Sequence, residues 1–151
     1  MMKKWKVGLI GTGWWSEKHL KAWGRIPEVE LVCLCNRSPE KLIKKAKEFN
    51  IPESKLYASL DEMLAKEEFD ILDIVTGPET HLEFVKKVAA AGKHIMCQKP
   101  FAPSYEEAEQ MVIAAEKSGV RLMVTENWRW LQPSQIIKKV LSEGTLGKLH
   151  V

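Results

Sequence analysis

The string Gly11-Thr12-Gly13-Trp14-Trp15-Ser16 constrains the fold more than any other feature of this chain. It follows a short apolar run, Lys6 to Ile10, and leads into a stretch of helical period from Ser16 to Trp23. In a strand–turn–helix unit the first glycine allows a tight turn and the second lets backbone approach a pyrophosphate. The third packs helix against sheet, and the phosphates meet the helix N-terminus. Ser16, small but not glycine, takes the third place. The string alone is weak evidence, but placed after an apolar strand it reads as a dinucleotide-binding loop.

The rest of the chain repeats that rhythm. Val29 to Cys35 is almost wholly apolar, as expected of a strand covered on both faces. Ser38-Pro39-Glu40 suits a helix start, with Ser38 as N-cap and Pro39 in the first helical position, and the helix is expected to reach Phe49. Ser59-Leu60-Asp61-Glu62 has capping-box spacing and predicts a short helix to Lys66. Strands are expected over Phe69 to Val75, His94 to Cys97 and Val120 to Thr125. Helices are expected over Pro78 to Ala91, Ser104 to Ser118 and Pro133 to Ser142, with Gly92 and Gly119 as terminators. Gly147 to Val151 reads as the start of another strand. Strands alternating with helices imply right-handed crossovers and an α/β fold with a doubly wound, mostly parallel sheet.

Composition narrows the partners. The net charge of +3 comes from 23 Lys and Arg against 20 Asp and Glu. Most lysines are interleaved with glutamates on helical stretches such as Lys41 to Glu48, a solvated face and not a nucleic-acid patch. No apolar stretch approaches the roughly 18 residues that a membrane span needs. The basic start, Met1 to Lys6, meets an apolar run too short for a signal peptide, so the chain reads as cytoplasmic. Cys33, Cys35 and Cys97 are expected as buried, reduced thiols, since Cys-x-Cys alone supplies two ligands and no metal site.

About 20 residues beyond the glycine loop, the second strand ends in Asn36-Arg37-Ser38. Many NAD-binding proteins place an acidic residue there to hold the ribose hydroxyls. Asn36 removes that charge while Arg37 and Ser38 add donors, which leans the cofactor expectation from NAD toward NADP. An exposed arginine beside a helix cap is the plainer account of Arg37.

Two further segments, Ile74-Val75-Thr76-Gly77-Pro78-Glu79-Thr80-His81 and His94-Ile95-Met96-Cys97-Gln98-Lys99-Pro100-Phe101, join Val7 to Gly13 in a family pattern. Together they resemble the glucose–fructose oxidoreductase and inositol dehydrogenase family (Gfo/Idh/MocA) along essentially the whole chain. The most specific match is Gln98-Lys99-Pro100, where the family carries Glu-Lys-Pro after its fifth strand. Thr76-Gly77-Pro78, with His81 following, matches the family's Thr-Pro loop.

The resemblance implies a Rossmann domain binding NAD(P), with the reaction a hydride transfer between nicotinamide and a sugar, inositol or related polyol. It implies Lys99 as the catalytic residue, beside nicotinamide and substrate, where a lysine orients a hydroxyl and stabilises alkoxide character. The cofactor-binding set on this reading is Gly11, Thr12, Gly13, Trp14, Trp15, Asn36, Arg37, Ser38, Thr76, Gly77, Pro78, His81, Gln98, Lys99 and Pro100. In the family the Lys-Pro bond is often cis. Gln98 keeps the size of the family's glutamate but not its charge. His81 either faces the cofactor or sits in a helix's first turn; His19 and His94 read as structural. Trp14 and Trp15 either cover the cofactor or pack. In the loop Thr125 to Trp130, Asn127 and Arg129 are candidates for holding substrate, with packing of Trp128 and Trp130 as the rival account.

The family's remaining catalytic groups belong to a second, α+β domain. The domain reading is therefore 1–144 as the dinucleotide-binding domain and 145–151 as the beginning of a strand into an absent substrate domain. On that reading the chain is a truncated oxidoreductase, not catalytic alone, and self-associates as a homo-oligomer. A stand-alone NAD(P)-binding or sensing module is the alternative. A short-chain dehydrogenase is disfavoured, because Tyr57 and Tyr105 are followed four residues on by Asp61 and Glu109, not lysine.

Overall fold

The computed structural model describes residues 4–144, 146 and 147. Among these residues six strands form one sheet: β1 (Trp5–Ile10), β2 (Val29–Cys35), β3 (Leu56–Tyr57), β4 (Ile71–Ile74), β5 (His94–Cys97) and β6 (Leu122–Val124). Their order is β3-β2-β1-β4-β5-β6, and every pairing is parallel. The helices are α1 (Ser16–Trp23), α2 (Pro39–Glu48), α3 (Leu60–Lys66), α4 (His81–Ala90), α5 (Tyr105–Lys117) and α6 (Gln132–Ser142).

Side chains alternate across the sheet with the period of two that strands impose. Leu9 and Leu34 pack on one face with Leu20, Leu42 and Ala46 of α1 and α2. Ile10, Cys33 and Cys35 pack on the other with Leu60, Val85, Val88 and Met111 of α3, α4 and α5. The sheet is thus wound on both sides, as the alternating sequence pattern requires. Asp73 is the polar exception within β4: flanked by Leu72 and Ile74, it is fully buried. The three cysteines are unbridged and buried. Burial pushes each thiol up to about 12.

Local chemistry explains most helix starts. The Ser59 hydroxyl accepts from the Glu62 amide, and Ser104 does the same for Glu107. Ser38 occupies the N-cap of α2 with Pro39 after it, but its hydroxyl makes no capping bond. Gly92 and Gly119 take positive φ angles of 69° and 65°, the left-handed conformation that ends a helix most cheaply at glycine.

The structure departs from the expected elements in three places. β3 was not foreseen; it is two residues long, with Leu34 and Cys35 of β2 as its register partners. The expected helix from Pro78 divides into a 3-10 turn over Pro78–Thr80 and then α4. β4 and β6 are shorter than expected by several residues. The strand expected over Gly147 to Val151, and with it the proposed boundary at residue 145, falls almost wholly outside the described residues.

Candidate cofactor and catalytic site

Because all six strands are parallel, the loops that follow β1, β4 and β5 emerge at one edge of the sheet. The sheet order changes direction between β1 and β4, and open α/β sheets hold ligands in the crevice at such a switch point. Gly11 begins the loop after β1 with φ of 97°. A Cβ there would collide with the Val75 carbonyl, so this position requires glycine. At Gly13 a Cβ would meet nothing within 4 Å, which leaves the backbone open to a ligand. Ser16 is fully buried, and its hydroxyl donates to the Gly13 carbonyl at 2.6 Å. The residue in the third glycine position therefore braces the loop from within.

The loop after β4 is braced by its own threonines. Thr80 Oγ1 donates to the Gly77 carbonyl at 2.8 Å, which leaves Thr76 Oγ1 to donate to Thr80 Oγ1 at 2.7 Å. His81 is fully buried, with Nδ1 2.9 Å from the Phe101 carbonyl oxygen and Nε2 3.1 Å from that of Thr76. Of its two sequence readings, the structure gives the helix's first turn: the ring ties two loops together from inside. Pro78 opens the intervening 3-10 turn. The Lys99-Pro100 bond is cis.

Trp14, Trp15, Thr76, Gln98 and Lys99 meet around one cavity of about 300 Å³. Residues from three loops, up to 85 positions apart in sequence (99 against 14), thus converge on one place. Trp14 is 78% exposed and stacks in a tilted arrangement on Trp15 at 5.2 Å between centroids. An adjoining cavity of about 300 Å³, lined in part by Trp15, His19, Trp23, Lys99 and Asn127, lies on the α1 side.

Asn36 and Arg37 stand at the far end of the same edge. Asn36 Nδ2 donates to Thr12 Oγ1 at 2.7 Å. Arg37 is exposed and makes no ion pair among the described residues. Arg129 does not line either cavity near Lys99; its guanidinium lies over the Trp130 ring at 5.0 Å.

His19, which the sequence reads as structural, joins Asp73 to Gln98, the residue before Lys99. Its Nδ1 is 2.8 Å from Asp73 Oδ2 and its Nε2 is 2.8 Å from Gln98 Nε2. His19 and Asp73 are 54 positions apart, so only the fold brings them together.

The model of the oxidoreductase family with an NAD-binding Rossmann fold, Gfo/Idh/MocA, matches residues 5–126. The chain belongs to this family. A D-apiose dehydrogenase of Paraburkholderia graminis is 40% identical over 146 residues, covering 97% of this chain and 38% of its own length. The scyllo-inositol 2-dehydrogenase (NADP(+)) IolU of Bacillus subtilis is 31% identical, over 93% of this chain and 43% of that protein. Among solved structures, an oxidoreductase from Agrobacterium radiobacter in complex with NAD+, L-tartaric acid and magnesium superposes with a TM-score of 0.92. It is 34% identical, covering 97% of this chain and 42% of that one. The chain thus spans about two fifths of the length of these family members.

Proposed function

We propose that this chain is the cofactor-binding half of an NAD(P)-dependent dehydrogenase acting on a sugar, inositol or related polyol. The observation that carries the proposal is the convergence of the glycine loop, Thr76 and Lys99 on one cavity at the sheet's switch point. A pyrophosphate fits against the open backbone at Gly13 and the start of α1, where helix N–H groups point outward. Asn36, Arg37 and Ser38 would hold the ribose at the adenine end, and Thr76, Gln98 and Lys99 the nicotinamide end. When bound, the nicotinamide supplies the hydride acceptor or donor. The part of this chain is to orient it and to present Lys99 to the substrate hydroxyl.

Lys99 has the chemistry for that role. An ammonium beside a reacting C–OH stabilises negative charge on its oxygen, and the neutral amine takes up its proton. Asn127 lines the adjoining cavity with Lys99 and is suited to hold a further substrate hydroxyl. The relatives named for D-apiose and scyllo-inositol support a polyhydroxy substrate. The cofactor leaning is toward NADP, because no carboxylate stands at position 36.

A substrate must be oriented against the nicotinamide for hydride transfer, and this requires a second wall to the cleft. The exposed Ile136 and Ile137 of α6, a helix with no buried residue, fit burial against further polypeptide or a second copy in a homo-oligomer. The test is a dehydrogenase assay with a panel of sugars and polyols and both cofactors, using this chain joined to the additional length its relatives have. Turnover of at least one polyol supports the proposal. Cofactor binding without turnover of any of them favours the binding-module alternative.

A further inference from the structure

Behind Lys99 a chain of hydrogen bonds runs into the sheet. The Lys99 amide donates to Gln98 Oε1 at 2.7 Å. A backbone N–H can only donate, so the atom facing it is the amide oxygen, and Gln98 presents its NH2 group to His19. Gln98 Nε2 is 2.8 Å from His19 Nε2. Since the Gln98 nitrogen has only protons to offer, His19 Nε2 must offer its lone pair. The ring's single proton then sits on Nδ1 and is donated to Asp73 Oδ2 at 2.8 Å. Trp23 Nε1 donates to the same oxygen at 2.7 Å. Each of these contacts then pairs a donor with an acceptor, which fixes the tautomer of His19, while the buried Asp73 Oδ1 has no partner among the described residues.

We propose that Gln98 is a positioning residue: its amide holds His19 as the neutral Nδ1–H tautomer and fixes the backbone of Lys99. A second ring proton, on Nε2, would point at another donor, the NH2 of Gln98. A glutamate at position 98 would instead offer an acceptor to Nε2–H, with Asp73 Oδ2 accepting on the other side of the ring. Gln98 thus keeps the group behind Lys99 uncharged. The catalytic meaning rests on the proposed role of Lys99, whereas the tautomer does not.

The experiment is long-range 1H–15N correlation NMR of the histidine rings in the wild-type protein and in Gln98→Glu near neutral pH. In the wild type His19 should show a protonated Nδ1 and a bare Nε2. In Gln98→Glu both nitrogens should become protonated, with the amide spectrum still dispersed. A wild-type ring protonated on Nε2, or a folded Gln98→Glu variant with an unchanged His19, overturns the proposal. If Gln98→Glu does not fold, the wild-type tautomer alone decides. These readouts need no turnover, so they fail or succeed independently of the dehydrogenase assignment.

Discussion

Asn36 Nδ2 donates to Thr12 Oγ1 across 2.7 Å, tying the end of β2 to the glycine loop after β1. The residue that would meet the adenine-side ribose is thereby coupled to the loop that would meet the pyrophosphate.

The substitution Asn36→Asp tests this coupling and the cofactor leaning together. The Thr12 hydroxyl can rotate to donate to the new carboxylate, so the fold should survive. The carboxylate would face a 2′-phosphate with a repulsion of about 4 kcal/mol for charges 4 Å apart at an effective dielectric near 20, less where solvent reaches them. We expect NADPH affinity to fall by at least about tenfold, equivalent to about 1.4 kcal/mol, with NADH affected less. Arg37→Ala should likewise weaken NADPH more, through the lost charge-assisted contact. Equal effects on both cofactors, measured by fluorescence titration, would show that position 36 does not meet the 2′-phosphate.

For Lys99→Ala, turnover of the longer enzyme should fall by roughly 10²- to 10⁴-fold, the range for lost acid–base and electrostatic assistance. Cofactor affinity should change little. Steady-state kinetics and a parallel NAD(P)H titration check the two halves of this prediction. Near-normal turnover would remove Lys99 from the catalytic role.

Stability should carry an acid limb from a site remote from the cofactor. Burial alone would push the Glu67 carboxyl up. Hydrogen bonds from Lys55, at 2.8 and 2.9 Å, and from Tyr57 outweigh it and hold the carboxyl below its ordinary value of 4.5. A depressed folded-state value means stability that is fully present above the unfolded value and is lost as the pH falls through the folded one. Glu67→Gln should cost about 1–3 kcal/mol near neutral pH, since it weakens a buried, charge-assisted network. The difference should narrow as the pH drops below 4.5. Urea unfolding of both proteins across that range gives the comparison, and a pH-independent difference would contradict the assignment to Glu67.

Much of this arrangement was legible because it is local. The glycine loop, the capping box at Ser59 and the helix terminators Gly92 and Gly119 each depend on residues within a few positions of one another. β3 was missed because two residues, Leu56 and Tyr57, carry no period; they are a strand only because β2 lies alongside. The Asp73–His19–Gln98 chain was missed for a different reason. Its bonds span 54 and 79 positions, and no local pattern distinguishes Asp73 from a strand's solvent-facing residue. The reading of Arg129 as a substrate residue rests on the resemblance to the family's loop at this place; its guanidinium lies over the adjacent Trp130 ring.

The edge bearing Gly11, Thr76 and Lys99 is where a nicotinamide dinucleotide is proposed to bind. Trp14, exposed, and Trp15, part-buried, line the cavity there and report directly on it. The most direct measurement is an equilibrium titration of the wild-type protein with NADPH and with NADH, following energy transfer from tryptophan to the reduced nicotinamide. Saturable binding of both is expected, with NADPH at least as tight as NADH. Absence of saturable binding by either cofactor would contradict the proposal.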